Sequence, residues 1–219
     1  MITYNPEDHT YWNEFGVQYI SATTLLGKEF PFDSDSIAEK VRKIPSSRYS
    51  GMSKERILSL WENSSGHGST LHEAIERYIK HDEWPSDTSL VPLVKQFSKL
   101  NFRGDLLSEV IVWDDDVQLA GTADILEVFP DKIYLYDIKT SNRVSDDKLM
   151  KFSLQLELYK RMIEGVFKKP TYIASILWFE DYVVKRSTTK LKLFRTLECS
   201  KVVDEILEKR RNEICQQRQ

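Results

Sequence analysis

The stretch YLYDIKTSN, residues 134–142, places an acid and a lysine two residues apart at the end of an apolar run. In a β-strand, residues i and i+2 point to the same face. The face that begins with Ile133 and Leu135 therefore continues with Asp137 and Lys139. The opposite face carries Tyr134, Tyr136 and Ile138. A solvated strand end is the simplest explanation, and an active site at the end of a buried strand is the alternative.

The segments around this stretch predict a sheet with helices. LSEVIVW (107–113) and VQLAGTADILEVF (117–129) read as strands, and FPDK (129–132) as the tight turn of a hairpin. A helix is predicted over 148–166, with Asp146 or Asp147 as its cap. Two more strands, TYIASILWFE (171–180) and YVVKRSTTKL (182–191), and a C-terminal helix complete this half.

The N-terminal part predicts helices after an irregular start. Apolar residues recur at helical spacing in 35–44, 53–63, 69–81 and 90–100. Thr70 and Glu73 form a candidate capping box at the start of the third of these helices. The expected fold is mixed α/β, with a central mixed sheet flanked by helices. We divide the chain into an N-terminal helical and irregular region, 1–65, and a core, 66–219.

Composition bounds the class of protein. The chain has 219 residues and a net charge of −3, which disfavours a protein that coats DNA through basic residues. An enzyme that binds divalent cations is less affected, because bound metal reverses the charge of its carboxylates. No apolar stretch reaches the roughly 18 residues of a membrane span, and the start lacks a signal-peptide pattern. Cys199 and Cys215 form no metal-type pair and are typical of a reducing compartment.

Polar residues on the predicted hairpin suggest a metal site. Asp124 and Asp137 lie on adjacent strands, which are about 4.8 Å apart, so their carboxylates can share one cation. Oxygen ligands favour Mg²⁺ or Mn²⁺ over zinc. Gly121 marks a bulge or a close backbone approach. Lys139 beside two metal-binding acids can position the attacking water and stabilise charge on a phosphoryl group.

Each part of this pattern is weak alone. A second Asp-x-Lys occurs at Asp146–Lys148, in a polar loop with no strand before it. Gln155 and Tyr159, four apart, share a helix face, but Tyr159 could equally be core and Gln155 a surface amide. A lone helical histidine such as His72 is more often a packing or surface residue than a ligand.

In combination, GSTLHEAIE, GTAD, YDIKTS and QLELY resemble the RecB-type branch of the PD-(D/E)XK nuclease superfamily over about residues 66–180. The start, HTYWNEFGVQYISATTLLGK, is similar to that of the mitochondrial genome maintenance exonuclease-like and phage exonucleases. The resemblance implies a restriction-endonuclease-like core. It implies that Lys139, Asp124 and Asp137 are catalytic, and that His72, Asp124, Asp137 and the Ile138 carbonyl ligate the metal. It gives supporting or DNA-binding roles to Glu109, Gln155, Tyr159, Ser21 and Thr23.

The function expected from this resemblance is Mg²⁺- or Mn²⁺-dependent hydrolysis of DNA, exonucleolytic on single strands or free ends. The alternatives are a structure-specific or restriction-like endonuclease and an inactive, DNA-binding homologue. Two cysteines cannot supply the four thiolates of an iron–sulfur cluster. We expect DNA as partner, no membrane association, and a cytoplasmic location in a bacterial or phage-infected cell; the sequence names no protein partner.

Overall fold

The computed structural model describes residues 2–8, 10–31, 33–47, 49–140, 145–179, 185 and 188–217, without the side chains of 61–69 and 217. The strands are β1 (Ile2–Asn5), β2 (Thr10–Asn13), β3 (Gln18–Ser21), β4 (Asp105–Asp114), β5 (Leu119–Val128), β6 (Ile133–Lys139), β7 (Thr171–Phe179) and β8 (Leu191–Phe194). The helices are α1 (Ala22–Glu29), α2 (Ser34–Val41), α3 (Lys54–His81), α4 (Val91–Phe97), α5 (Asp146–Phe167) and α6 (Ser200–Gln217).

The strands form one mixed eight-stranded sheet, as expected for the mixed α/β class. Its order is β1-β2-β3-β5-β6-β7-β8, and β4 pairs with β5 outside this path. The β5–β6 hairpin is antiparallel, as predicted, whereas β6 and β7 are parallel and joined through α5. Parallel neighbours need a crossover connection, which is usually a helix.

Strand β5 pairs with three other strands, β3, β4 and β6. Strand β4 runs along one of its edges over its full length. Its other edge is shared, because β3 pairs in parallel with Leu119 and Ala120 and β6 pairs with 125–128. Residues 121–124 of β5 therefore face a gap between β3 and β6. The gap contains the motif Gly-Thr-Ala-Asp.

Helices cover both faces of the sheet. Helices α1, α5 and α6 bury their apolar residues in one core, which includes Leu26, Leu158 and Val203. Helices α3 and α4 bury theirs in a second core on the opposite face. Leu135 lies in the first core and Ile138 in the second. The alternation predicted for β6 is therefore confirmed.

Three local predictions were wrong. The start is not irregular, because β1–β3 join the sheet. Thr70 starts no helix, since α3 is continuous through it, so the apolar periodicity of the two predicted segments belongs to one 28-residue helix. Ser145 caps α5, in place of Asp146 or Asp147, by accepting a hydrogen bond from the Lys148 amide.

The last strand is displaced from its prediction over 182–191. Strand β8 begins at Leu191 and ends at Phe194. Residues 182–184 and 186–187 of the predicted strand lie outside the described residues. The division into regions 1–65 and 66–219 stays a prediction, and residue 65 lies within α3. Among the described residues, no helix is both long and apolar enough to cross a membrane.

Candidate metal and phosphodiester site

Asp124 bridges β5 and β6 where their backbones separate. The backbone pairing of the hairpin ends at Ile125 and Tyr136. Beyond it, the Asp124 Oδ2 accepts a hydrogen bond from the Ile138 amide at 2.7 Å. The carboxylate thus takes the place of the next backbone hydrogen bond between the two strands. The Asp124 side chain is 12% exposed. The sequence prediction for Ile138 concerned its carbonyl as a ligand, and that role stays a prediction.

Glu109 lies opposite Asp124 across the β4–β5 pair. The flanking pairs are Ser108 with Ile125 and Val110 with Ala123, which places Glu109 and Asp124 at the same level. Glu109 has a φ of 51°, in the left-handed region that side chains with a Cβ rarely adopt. Such a conformation costs about 1–3 kcal/mol and persists only when the surroundings impose it.

The left-handed backbone at Glu109 coincides with a change in which core the side chains of β4 and β5 enter. Ala123 and Val110 pack in the core beneath α5. Strict alternation would place Ile125 and Leu106 there too, yet both pack in the core under α3 and α4. The side-chain alternation therefore shifts by one residue in both strands at the level of Glu109.

His72 approaches this pair of acids from α3. Its Nδ1 lies 3.7 Å from Asp124 Oδ2 and 3.8 Å from Glu109 Oε1. Ligand atoms of the three residues all lie within 4.8 Å of one another. We call these three residues the His–Glu–Asp cluster. Burial lowers the pKa of His72, but Asp124 and Glu109 outweigh burial, so its pKa lies above the usual 6.5.

Asp137 and Lys139 form a buried ion pair beside the cluster. Lys139 Nζ donates to Asp137 Oδ1 at 2.9 Å and lies 2.7 Å from Oδ2. Burial raises the pKa of Asp137 to about 6, helped by Asp124 and opposed by Lys139. Burial lowers the pKa of Lys139, but Asp137 and Asp124 outweigh burial and raise it overall. Lys139 therefore stays protonated. For Asp137, the effect of burial on the pKa exceeds the opposing effect of Lys139.

The donor atoms fit a divalent cation. Asp137 is 1% exposed, and within the described part of the chain its Oδ2 accepts no hydrogen bond of good geometry despite the nearby ammonium. A buried carboxylate oxygen without a hydrogen bond is costly unless an ion satisfies it. Carboxylate oxygens with one imidazole suit Mn²⁺ and Mg²⁺ among other divalent ions, and so are not specific to one metal.

Gln155 and Tyr159 pack against the gap from α5. Gln155 Nε2 lies 3.3 Å from the Tyr159 hydroxyl, so the predicted pair is in contact. Tyr159 is 5% exposed and belongs to the core. A Cβ on Gly121 would collide with its ring, and would lie 3.1 Å from its Cζ and its Oη. A bulge or a close backbone approach was predicted at Gly121, and the structure places the side chain of Tyr159 there.

We expect Gly121→Ala to destabilise the protein and impair the site. The added methyl must displace the Tyr159 ring, and overpacking of this kind costs about 1–3 kcal/mol. The free energy of unfolding in urea and the cleavage rate measure the two effects. Gly165→Ala is the matched control, because a Cβ there meets no atom within 4 Å. Equal stabilities for the two variants would contradict the packing role of Gly121.

Ser21 and Thr23 lie at the start of α1. Ser21 Oγ accepts from the Thr24 amide at 3.0 Å and so caps the helix. Its hydroxyl also lies 3.1 Å from the hydroxyl of Thr23. Ser21, the last residue of β3, pairs with Ala120 of β5 and therefore lies beside β5 just before the gap. A structural role for Ser21 is thus clear, and its predicted contact with DNA stays a prediction.

Sequence reasoning missed two contacts at the site. Lys139 Nζ lies 4.8 Å from the centre of the Phe152 ring, a cation–π contact from α5. Tyr11 shares a hydrogen bond of 2.9 Å with Thr122, which ties β2 to the Gly-Thr-Ala-Asp segment. Phe152 lies three residues before Gln155, so the periodicity of α5 could have suggested it. No local pattern links Tyr11 to Thr122, which are 111 residues apart.

We expect His72→Ala to raise the metal concentration needed for half-maximal activity by about 10- to 100-fold. A metal ligand must be neutral imidazole, so metal affinity should fall as pH drops through the pKa of His72, above 6.5. Titrating Mn²⁺ at several pH values measures both effects. His81→Ala, at the exposed end of the same helix, is the control. An unchanged Mn²⁺ requirement would make His72 a packing residue.

The same pKa shift predicts a stability effect in metal-free protein. Because the folded-state pKa of His72 is raised, its stabilising contribution is fully present below about pH 6.5 and is lost as pH rises through the folded value. His72→Ala should remove this part of the pH dependence of unfolding, which thermal denaturation in EDTA can follow.

Comparison with known proteins gives no independent assignment. No family model matches the chain, and no curated protein matches it. The site itself combines one imidazole, three carboxylates and the lysine Lys139, whose side chain is 16% exposed.

Proposed function

We propose that the chain is a Mg²⁺- or Mn²⁺-dependent nuclease of the RecB-type branch of the PD-(D/E)XK superfamily. It hydrolyses DNA phosphodiester bonds, as an exonuclease on single strands or free ends. The observation that carries the proposal is the meeting of the His–Glu–Asp cluster with the Asp137–Lys139 pair in one gap of the sheet. Both lie at residues that a nuclease motif predicts from sequence.

Electrostatics supports dependence on a metal. Glu109 and Asp124 belong to the His–Glu–Asp cluster, and Asp137 is near enough to Asp124 for their charges to interact. These three carboxylates would repel an anionic phosphodiester. Lys139 alone cannot offset them, since it is already paired with Asp137. A divalent cation held by the acids and His72 changes the sign of the local charge. When bound, Mg²⁺ or Mn²⁺ supplies Lewis-acid stabilisation of charge on the phosphoryl group.

The protein's own groups then have distinct roles. His72, Asp124 and Asp137 hold the cation, and Glu109 supports it. Lys139 directs its ammonium, which lies 4.8 Å from the centre of the Phe152 ring, at the phosphate and the attacking water. Tyr159 packs on Gly121 and fixes the width of the gap, and Gln155 orients its hydroxyl. In hydrolysis the water oxygen bonds to phosphorus as the ester P–O bond breaks.

One digestion experiment tests the proposal. Single strands, duplexes and closed circles of DNA, labelled at either end where an end exists, are incubated with Mg²⁺, with Mn²⁺ or with EDTA. We expect metal-dependent release of short products from linear single strands and no cleavage of circles. Cleavage of circles would identify an endonuclease instead. Binding of DNA without cleavage in either metal would identify an inactive homologue.

A further inference from the structure

A polar cavity of about 360 Å³ lies beside the start of α1, away from the His–Glu–Asp cluster. Thr24 and Lys28 of α1, Arg210 of α6 and strand residues including Thr10 and Gln18 line it. We call this cavity the basic pocket. Its volume lies at the lower end of the range for small-ligand sites, and two of its lining side chains are cations.

The guanidinium of Arg210 is held in place but only partly used. Its Nε donates to the Val117 carbonyl and its Nη1 to Glu213 Oε2, both at 3.2 Å. The side chain is 12% exposed, and its other N–H groups meet no acceptor among the described residues. An arginine positioned by two contacts, with donors to spare, is suited to binding an oxyanion.

Lys28 adds a second positive charge. It is exposed and forms no ion pair with any residue that the structure describes, whereas nearby Lys209 is paired with Glu29 at 2.7 Å. Near the end of α1 it would also interact favourably with the helix dipole, but that role does not require it to line a cavity. The Lys28 ammonium and the remaining N–H groups of Arg210 are thus available to a ligand.

Asp8 is the acid in the lining and partly opposes the two cations. Its Oδ1 accepts hydrogen bonds from the Thr10 amide at 3.2 Å and from the Thr10 hydroxyl at 2.6 Å. Those bonds turn one carboxylate oxygen toward the chain. Among the lining residues, the charges of Lys28 and Arg210 exceed that of Asp8, and Glu213, which pairs with Arg210, lies outside the lining.

The basic pocket lies in line with the candidate site. Strands β3 and β5 are parallel, and Ser21, which lines the pocket, pairs with Ala120. Asp124 is four residues further along β5, about 13 Å at the usual rise per strand residue. At about 3.4 Å per stacked nucleotide, that distance corresponds to roughly four nucleotides, and fewer in an extended strand.

We propose that the basic pocket binds a backbone phosphate of the DNA strand whose bond is cut at the cluster, through Lys28 and Arg210 beside the start of α1. The inference rests on the proposed function for the identity of the ligand. The basic pocket gives the enzyme a second contact with the DNA, a few nucleotides from the phosphate that reacts. Such a contact positions the strand and carries no base preference.

Fluorescence anisotropy with a labelled single strand of about ten nucleotides, in EDTA, tests the pocket without cleavage. Lys28→Ala should raise the Kd about tenfold, and it should lower the slope of log Kd against log salt by about 0.7, the value for one phosphate contact on a single strand. Asp8→Asn should lower the Kd, because it removes the opposing charge. Lys201→Ala, an exposed lysine at the start of α6, is the control and should match the wild type.

The possible results test phosphate binding in the basic pocket independently of nuclease activity. If Lys28→Ala and Asp8→Asn both bind with the wild-type Kd and salt slope, the basic pocket binds no phosphate, whatever the cleavage assay gives. If they shift binding in opposite directions while the wild type cleaves nothing, the pocket stands and the nuclease proposal fails. In an active enzyme, Lys28→Ala should raise KM more for a ten-nucleotide strand than for a dinucleotide, which reaches only the cluster.

Discussion

Asp124→Asn is expected to abolish metal-dependent cleavage, with a loss of at least about 1,000-fold, or roughly 4 kcal/mol of transition-state stabilisation. The substitution removes a carboxylate that lies close to His72 of α3 and also accepts a hydrogen bond from the backbone of β6. It lies 3.7 Å from His72 Nδ1 and accepts the Ile138 amide at 2.7 Å. An asparagine oxygen can still accept that amide, so the strand geometry is kept while the charge that holds a cation is lost.

The fold should tolerate this change. Metal-free protein places Glu109, Asp124 and Asp137 near one another, and Asp124 raises the pKa of Asp137. Neutralising Asp124 relieves that repulsion, so the melting temperature should hold or rise slightly in EDTA. Calorimetric titration with Mn²⁺ should show binding weakened or lost. This combination of an intact fold with lost metal binding distinguishes a ligand from a structural residue.

Asp105→Asn is the matched control for Asp124→Asn. Asp105 starts β4, pairs with Val128 at the far end of the same sheet and is exposed. Asp105→Asn removes the same charge from the same sheet at a position away from the gap. Cleavage and Mn²⁺ binding should therefore be unchanged. A variant Asp124→Asn that keeps more than about a tenth of the wild-type rate would remove Asp124 from the site.

The sequence predicted most of the site because its residues lie at fixed offsets within regular elements. Period-two alternation placed Asp137 and Lys139 on one face of β6, and helical spacing placed Gln155 next to Tyr159. The FPDK turn fixed the hairpin that carries Asp124 toward β6. Each of these inferences needs only local geometry, which a sequence specifies well.

Contacts between distant segments were not predictable in the same way. Glu109 was expected as a supporting acid, but its left-handed backbone and its position opposite Asp124 depend on the register of two strands. The strands of the N-terminal region were missed because β1–β3 are each only four residues long, too short for alternation to be evident. The basic pocket combines α1 with α6, which no local pattern connects.

Lys139→Met is expected to slow cleavage by about 100- to 1,000-fold while single-stranded DNA and Mn²⁺ still bind. An ammonium that acts on the transition state contributes little to ground-state affinity, so kcat should fall with Kd nearly unchanged. Methionine replaces the ammonium by an uncharged, unbranched side chain, so it fills more of the space beside Phe152 than alanine would. Single-turnover rates and anisotropy measure the two quantities.

The structure adds a stability effect that separates this lysine from any surface lysine. Lys139 is the ammonium paired with Asp137, which is 1% exposed, and removing one member of a buried pair typically costs about 3–5 kcal/mol. Lys139→Met should therefore be less stable than the wild type in EDTA. Mn²⁺ should restore more stability to it than to the wild type, because a cation at Asp137 replaces the lost charge.

Lys148→Met provides the comparison for Lys139→Met. Lys148 belongs to the second Asp-x-Lys, which lies in the first turn of α5 and not at the end of a strand. Lys148→Met should affect the cleavage rate and the stabilisation by Mn²⁺ no more than the removal of any exposed charge would. If the two lysines exchanged behaviour, the catalytic strand would be misassigned. If neither affected cleavage, an active wild type would need a catalytic group other than the lysine that the Asp-x-Lys motif predicts.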